Sequence, residues 1–468
     1  MAHRPLPLPA FRKPQFLCPI NTQPYPYRKN ETHIFAFRGG TVGRHGIGPK
    51  PYHTDKVYGR PHPLVANDTI YLYTTHDEDD AEGFKMKDWL LYTSTDMVNW
   101  TDHGAVASLN DFAWAKHDNG AWAEQVVYRN GKYYMYCPIH GNGIGVLVAD
   151  SPYGPFKDPL GKPLVWQREH WDDIDPTVMI DDDGQAYMYW GNPNVYYVKL
   201  NKDMISYSGN IVKLDKRPEH YQEGPWVYKR QGHYYMAFAS TCCPEGIGYA
   251  MSDSPTGPWQ TRGYIMRPTD KSRGNHPGII DYKGSSYVFG LNYELLHLET
   301  MEHKERRSVA VAKMHYNADG TIEEVPYWLD TRLEQVGTFN PYRRVEAETM
   351  AWGYGLKTKP CVTGGIVVTD IDDGETLCLR GVDFGPKGAR KLTATVMGKD
   401  KTAKVEIRLD SAEGPLAGTL NVGEGGTRPG FTRVSCKVKG AKGVHDLYFR
   451  FKGDKVKDLF DWDFWILK

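Results

Sequence analysis

No apolar run in this chain approaches the roughly 18 residues that a membrane-spanning helix needs, so a helical membrane protein is excluded. Charge of one sign is not in excess either. Lys+Arg and Asp+Glu number 57 each in 468 residues, which removes the electrostatic case for nucleic acid or an anionic membrane as partner. Cysteine is sparse: seven residues, two of them adjacent at Cys242 and Cys243, with no paired C-x-x-C. Neither a zinc site nor an extensive disulfide framework is expected. The N-terminal stretch MAHRPLPLPAFRKPQFLCPI is positively charged, but its prolines interrupt any apolar h-region and it does not read as a signal peptide. Secretion or a periplasmic location then requires a leader already removed, and the alternative is a cytoplasmic protein. Helical periodicity is almost absent. Aromatic residues, in contrast, make up 13%, with 31 Tyr and 13 Trp beside 48 Gly and 31 Pro. Such a composition suits short strands joined by tight turns, and rings that stack on sugars.

Five segments share a turn followed by a Tyr-rich strand: NDTIYLYTTHD (67–77), NGKYYMYCPIHG (130–141), DGQAYMYWGN (183–192), QGHYYMAFAS (231–240) and KGSSYVFGLNYE (283–294). They recur at intervals of about 50 residues, the size of one four-stranded propeller blade. A second strand follows each, and two of these end in near-identical corners, DSPYGPF and DSPTGPW. The fold predicted is all-β, a five-bladed β-propeller over 31–335 behind an N-terminal extension, 1–30. Beyond TIEEVPYWLDTRLEQVGTFNPYRR, Tyr and Trp thin out and period-two strands such as AKVEIRLD and HDLYFRFK take over, which predicts a β-sandwich over 341–468.

A propeller gathers the first strands of its blades around one axis, so polar residues leading into those strands converge. Asp175 in DDIDPTVMIDDDG, Glu223 in YQEGPWVYKR and Glu124 in AWAEQVVYRNG precede the third, fourth and second repeats. Three carboxylates so placed can supply an acid, a base and a group that tunes them.

The series YLYTTHDEDD, WTDHG, AWAEQ, IGVLVADSPYGPFKDPLGKPL, DIDPTVMIDDDGQAYMYWGN, YQEGPW, GNHPGIIDYKG and RRSVAVAKMHYNADGTI resembles glycoside hydrolase family 43, five-bladed propeller enzymes that trim arabinose and xylose from plant polysaccharides. RVEAETMAW, DDGETLCLRGVDFG, VEIRLDSAEGPLAGTL and LFDWDFWIL are similar to a family 6 carbohydrate-binding module. The resemblance implies an inverting exo-glycosidase of arabinofuranosidase or xylosidase type, with a carbohydrate partner and no organic cofactor. It gives Glu223 the general-acid role, and Asp175 the role of keeping that acid protonated and oriented. Relatives carry Ala-Asp-Pro before the first inner strand to supply the base, whereas YGRPHPLVANDTIYLY puts Arg60 there. A guanidinium cannot accept a proton. A shift of two residues offers His62 instead, and Glu124 is the other substitute. Galactan-cleaving relatives that lack the usual base keep an exo-galactanase-like reading open, and a glycan-binding propeller without turnover is the third alternative.

The same resemblance places His276 of GNHPGII near the axis, at a position that often contacts calcium, and lets Arg307 of ERRSVAV reach substrate. Trp89, Trp114, Trp122 and Trp226 are candidates to line the pocket, with packing between blades the alternative for most of them, and Trp122 and Trp226 are the two retained as substrate-binding. In the second domain Glu346, Glu348 and Asp463 match a structural calcium site. The usual sugar-stacking Trp falls at Arg428, which leaves Trp352 and Tyr354 as another surface.

Overall fold

The computed structural model describes residues 57–78, 83–168, 172–241, 244–270, 274–293, 307–328, 333–361, 364–423 and 430–468. The expected extension over 1–30, Cys242, Cys243 and Arg428 lie outside them.

Five antiparallel sheets form the propeller. Blade 1 is β1 (Val57–Ala66), β2 (Thr69–Asp77), β3 (Asp88–Ser94) and β4 (Trp100–Ser108); blade 2 is β5 (Gln125–Arg129), β6 (Lys132–Ile139) and β7 (Gly143–Ala149). Blade 3 is β8 (Thr177–Ile180), β9 (Ala186–Trp190), β10 (Tyr196–Leu200) and β11 (Tyr207–Lys213). Blade 4 is β12 (Tyr221–Arg230), β13 (His233–Ser240), β14 (Gly246–Ser252) and β15 (Gln260–Met266), and blade 5 is β16 (Gly278–Tyr282), β17 (Ser285–Asn292) and β18 (Ser308–Met314). A 3-10 turn, Leu109–Asp111, is closed by a Ser108–Asp111 capping box.

The turns explain why the first two strands of a blade pair as they do. Asn67-Asp68, Asn130-Gly131, Gln231-Gly232 and Lys283-Gly284 all hold positive φ at both residues. That is the type I′ geometry whose twist matches a two-residue hairpin. The ring closes where β1 packs on blade 5, and a Cβ on Gly278 would lie 2.4 Å from Pro63 Cδ. Two prolines are tolerated in β1 because this innermost strand pairs on one side only, with β2.

The C-terminal sandwich has two sheets, one containing Ile366–Thr369, Phe460–Leu467, Lys391–Gly398 and Thr432–Lys437, the other Thr376–Asp383, Val444–Lys452, Lys404–Leu409 and Leu416–Asn421. Its core is apolar and aromatic: Phe449 meets Trp462 at 4.9 Å and Trp465 at 5.3 Å between ring centroids. The two-residue strand Thr349–Met350 leaves the sandwich and pairs with Trp100–Thr101 as a fifth strand on blade 1. Around it, Asn99 Nδ2 donates to Arg380 O (2.9 Å), Arg380 N donates to Asn99 Oδ1 (2.8 Å), and Thr358 Oγ1 donates to Asp102 Oδ2 (2.9 Å).

Candidate active site

The polar residues singled out in the sequence stand at one end of the propeller, where the first strand of each blade begins. Two local irregularities aim them. Gly59 pairs with Thr75 but Pro61 with Thr74, so Arg60 is the extra residue of a β-bulge. Glu223 lies between two further register shifts of the β12–β13 pair. Asp175 holds φ at +56°, a left-handed conformation that costs a non-glycine residue about 1 kcal/mol or more and that concentrates at functional sites.

Arg60 is the centre of the cluster. Its Nη1 donates to Asp175 Oδ1 and its Nη2 to Glu223 Oε1 at 3.4 Å. Glu223 Oε1 also meets His276 Nε2 at 2.8 Å, and its Oε2 accepts from Asn192 Nδ2. Gly224 permits this approach, since a Cβ there would lie 2.4 Å from His276 Nδ1. Arg60 also sits 5.4 Å from the Trp122 ring centroid, and His62 stacks on Trp226 at 5.7 Å.

Electrostatics follow from this geometry. Although burial opposes it, Arg60 and His276 pull the Glu223 carboxyl down to about 2. Asp175 is pushed up to about 7 by burial, against the pull of Arg60. The Arg60 guanidinium, standing between the two carboxyls, favours the ionised form of both against the cost of burial. Burial lowers His276 to about 4 and takes His62 well below its ordinary value, so both imidazoles are neutral near pH 7. Glu124 is 0% exposed, neither carboxyl oxygen has a hydrogen-bond partner among the described residues, and burial lifts it to about 8. Asp175 Oδ2, Arg60 Nε, His62 Nδ1, His276 Nδ1 and Trp122 Nε1 are buried and equally unpartnered. So many orphaned polar atoms in one place mark a site shaped for a polar ligand.

Arg307 lies within electrostatic reach of Asp175, Glu223 and His276. Arg307 is buried with its guanidinium bound to Asp77 (Nε to Oδ2 3.0 Å, Nη2 to Oδ1 2.6 Å) under the Phe84 ring, 5.0 Å away. Trp89 is fully buried, and Trp114 donates to Asp158 Oδ2 at 2.8 Å. Sequence reasoning missed Asn192, and also Glu245, a buried carboxyl that accepts from Asn275 N at 3.0 Å and is raised by burial and by Glu223. A signal existed: PEGIGY in the fourth repeat puts Glu245 where GNGIGV in the second has Asn142.

Asp175, Glu223 and His276 place one ligand atom each within 4.8 Å of one another. Arg60 already compensates both carboxylates there, and the set lacks the oxygen-rich shell calcium takes. In the sandwich, Arg344 binds Glu346 through two hydrogen bonds (2.7 and 2.8 Å) and reaches Asp463 at 3.4 Å, while Glu348 is buried with Oε2 unpartnered. Among the described residues, three ligand atoms converge within 4.8 Å at Asp175, Glu223 and His276 and not at Glu346, Glu348 and Asp463, so the expected calcium site is not formed there.

The description "Glycosyl hydrolases family 43" matches residues 56–322. The chain belongs to glycosyl hydrolase family 43. By that membership it is a glycosidase whose partner is carbohydrate, and residues 346–468 match the family 6 carbohydrate-binding module. Among family 43 relatives, an arabinoxylan arabinofuranohydrolase of Bacillus subtilis (strain 168) is 33% identical, over 92% of this chain and 94% of its own. Another of the same name from Paenibacillus polymyxa is 34% identical, over 90% and 73%. A solved family 43 structure, the Bacillus subtilis arabinoxylan arabinofuranohydrolase in complex with cellotetraose, superposes with a TM-score of 0.81 at 32% identity, covering 90% of this chain and 97% of that one.

Proposed function

We propose that the chain is an inverting exo-glycosidase that removes arabinofuranosyl or xylosyl units from arabinoxylan-like polysaccharides or their oligosaccharides. The observation that carries this reading is the meeting of Glu223 and Asp175, from the leading ends of adjacent blades, on one guanidinium. Support for the substrate comes from two relatives named as arabinoxylan arabinofuranohydrolases. The proposed working unit is 31–335 with a carbohydrate-binding module at 341–468, acting outside the cytoplasm where its polymer is found.

In this reading Glu223 protonates the leaving oxygen, and a sugar entering the pocket separates Arg60 from Glu223 at their long 3.4 Å contact. Released from the guanidinium, Glu223 regains an ordinary carboxyl affinity for its proton. Arg60 stays on Asp175. Ionised Glu124, the minority form at pH 7 because burial lifts it to about 8, takes the proton of the attacking water, with the neutral imidazole of His62 the competing base. A second reading draws on the same bridge: with Arg60 in place the propeller holds glycan without cleaving it.

The test is turnover on arabinoxylan, xylan, arabinan, galactan and aryl glycosides, with the anomer of the released sugar read by NMR. Arabinose or xylose released with inversion is expected, and Glu223→Gln should lower kcat about 10²- to 10⁴-fold. Equal activity of Glu223→Gln sinks the acid assignment. An inert parent that gains hydrolysis as Arg60→Asp selects the second reading.

A further inference from the structure

We propose that a strip of tyrosines at the opposite end of the propeller from the catalytic cluster is a second glycan-binding surface, taking a neutral polysaccharide strand. Strand direction fixes the end. Arg60 begins β1 and Glu124 immediately precedes β5, whereas Tyr128 lies near the end of β5, Tyr133 near the start of β6, and Tyr71 near the start of β2. Tyr153 follows β7, which runs antiparallel to β6 and returns to the same end. His103 lies near the start of β4 and completes the row.

The rings adjoin. Tyr128 and Tyr133 are 5.0 Å apart between centroids, Tyr71 and Tyr153 5.6 Å, and Tyr153 and His103 5.0 Å. Tyr133 links the two groups, since it and Tyr71 belong to one cluster of packed side chains. Tyr128 is 50% and Tyr153 48% exposed, so apolar ring surface and hydroxyls both face solvent. Amphipathic rings of this kind suit a sugar, which offers C–H faces and hydroxyl edges.

Blade 4 supplies an internal control. Its corner DSPTGPW repeats DSPYGPF, and each is pinned by the same bond: Tyr73 Oη to Pro152 O at 2.7 Å, Tyr189 Oη to Pro255 O at 2.5 Å. Yet Thr256 stands where blade 2 has Tyr153, so the turn does not require the ring. Likewise Lys229, the counterpart of Tyr128 in the hairpin register, is held by Asp181 and Asp182, whereas Tyr128 turns to solvent.

Two observations choose the occupant. The strip presents little charge: burial lowers His103 to about 4, so it is neutral, and the neighbouring Lys132 and Asp150 pair with each other. Among the described residues the cations beside the strip are engaged, Lys132 by Asp150 and Arg129 by Gly184 O, which disfavours a uronate polymer or a nucleic acid. The row also ends at the seam with the carbohydrate-binding module, because the residues flanking His103 touch it: Asp102 accepts from Thr358, and a Cβ on Gly104 would lie 2.7 Å from Ile366 Cδ1.

The inference rests on the carbohydrate-active reading of the chain but not on its catalytic roles, so its test is binding rather than turnover. In a Glu223→Gln background, depletion isotherms on insoluble arabinoxylan and xylan compare Tyr128→Ala/Tyr153→Thr with the unsubstituted strip; Tyr153→Thr borrows the blade 4 residue and keeps the turn. Expected is about a 3- to 10-fold weaker apparent affinity per ring, with an unchanged Tm, and, in the otherwise native chain, unchanged kcat/KM on an aryl glycoside. Unchanged isotherms overturn the proposal. So does a concentration-dependent dimer, seen by sedimentation, that the same substitutions abolish, since the occupant is then a second copy of the chain.

Discussion

The two ends of this polypeptide solve burial differently. At the propeller axis Arg60, Glu124, Asp175, His62 and His276 are all buried, and each has at least one polar atom without a partner. The sandwich buries Phe449, Phe451, Trp462 and Trp465 in an apolar cluster and leaves fewer buried side-chain atoms without a partner among the described residues, Glu348 Oε2, Thr395 Oγ1 and Trp465 Nε1. Apolar burial stabilises by about 25 cal/mol per Å², while an unpartnered buried polar group costs about 1–3 kcal/mol. The sandwich is thus the side where sequence was selected for stability, and the axis is the side where stability is surrendered to chemistry.

The sharpest way to break this contrast is to remove a ring from the sandwich. Phe449→Ala should cost about 3–5 kcal/mol, read as a lower midpoint in chemical denaturation, with turnover per folded molecule unchanged. A small loss would mean that the module's core is not close-packed.

Substitution at the axis should act in the other direction. Glu124 has its folded pKa raised from 4.5 to about 8, so the stability it contributes is complete below pH 4.5 and is lost as pH rises toward 8. Glu124→Gln should accordingly flatten the fall in Tm between pH 5 and 8, by an amount on the order of 3 kcal/mol at the alkaline end. An identical pH profile for parent and variant would show that Glu124 is compensated after all.

These two predictions also mark what the sequence disclosed and what it hid. The blades were legible because turn chemistry and Tyr-rich strands repeat, and Asn130-Gly131 or Lys283-Gly284 announce their hairpins locally. Glu223, Asp175 and Glu124 were legible because each leads into such a strand. The Arg60 bridge was not. It joins residues 115 and 163 positions apart, through a bulge that no local pattern encodes. The Arg307–Asp77 pair was hidden for a related reason, since its partners lie 230 residues apart and meet only on ring closure between blades 1 and 5. Glu245 was visible only by comparing one repeat with another.

The smallest effect concerns the seam. Asn99→Ala removes the side chain that both donates to Arg380 O and accepts from Arg380 N. It should weaken docking by about 1–3 kcal/mol, and calorimetry should then resolve separate unfolding of propeller and sandwich where the parent shows one transition. A single transition in the variant would place the strength of the joint in the Thr349–Met350 pairing instead.

That short strand has a mechanical meaning. Two binding domains joined by a flexible tether sample many separations, and the second meets its ligand at an effective concentration set by linker length. Here backbone hydrogen bonds between Thr349–Met350 and Trp100–Thr101 make the module a continuation of blade 1. The joint is a fixed gauge rather than a leash: if the sandwich grips the polymer of the proposed function, the axis meets only those residues lying one set distance along it. Spacing of branches on that polymer would then be a property the molecule can measure.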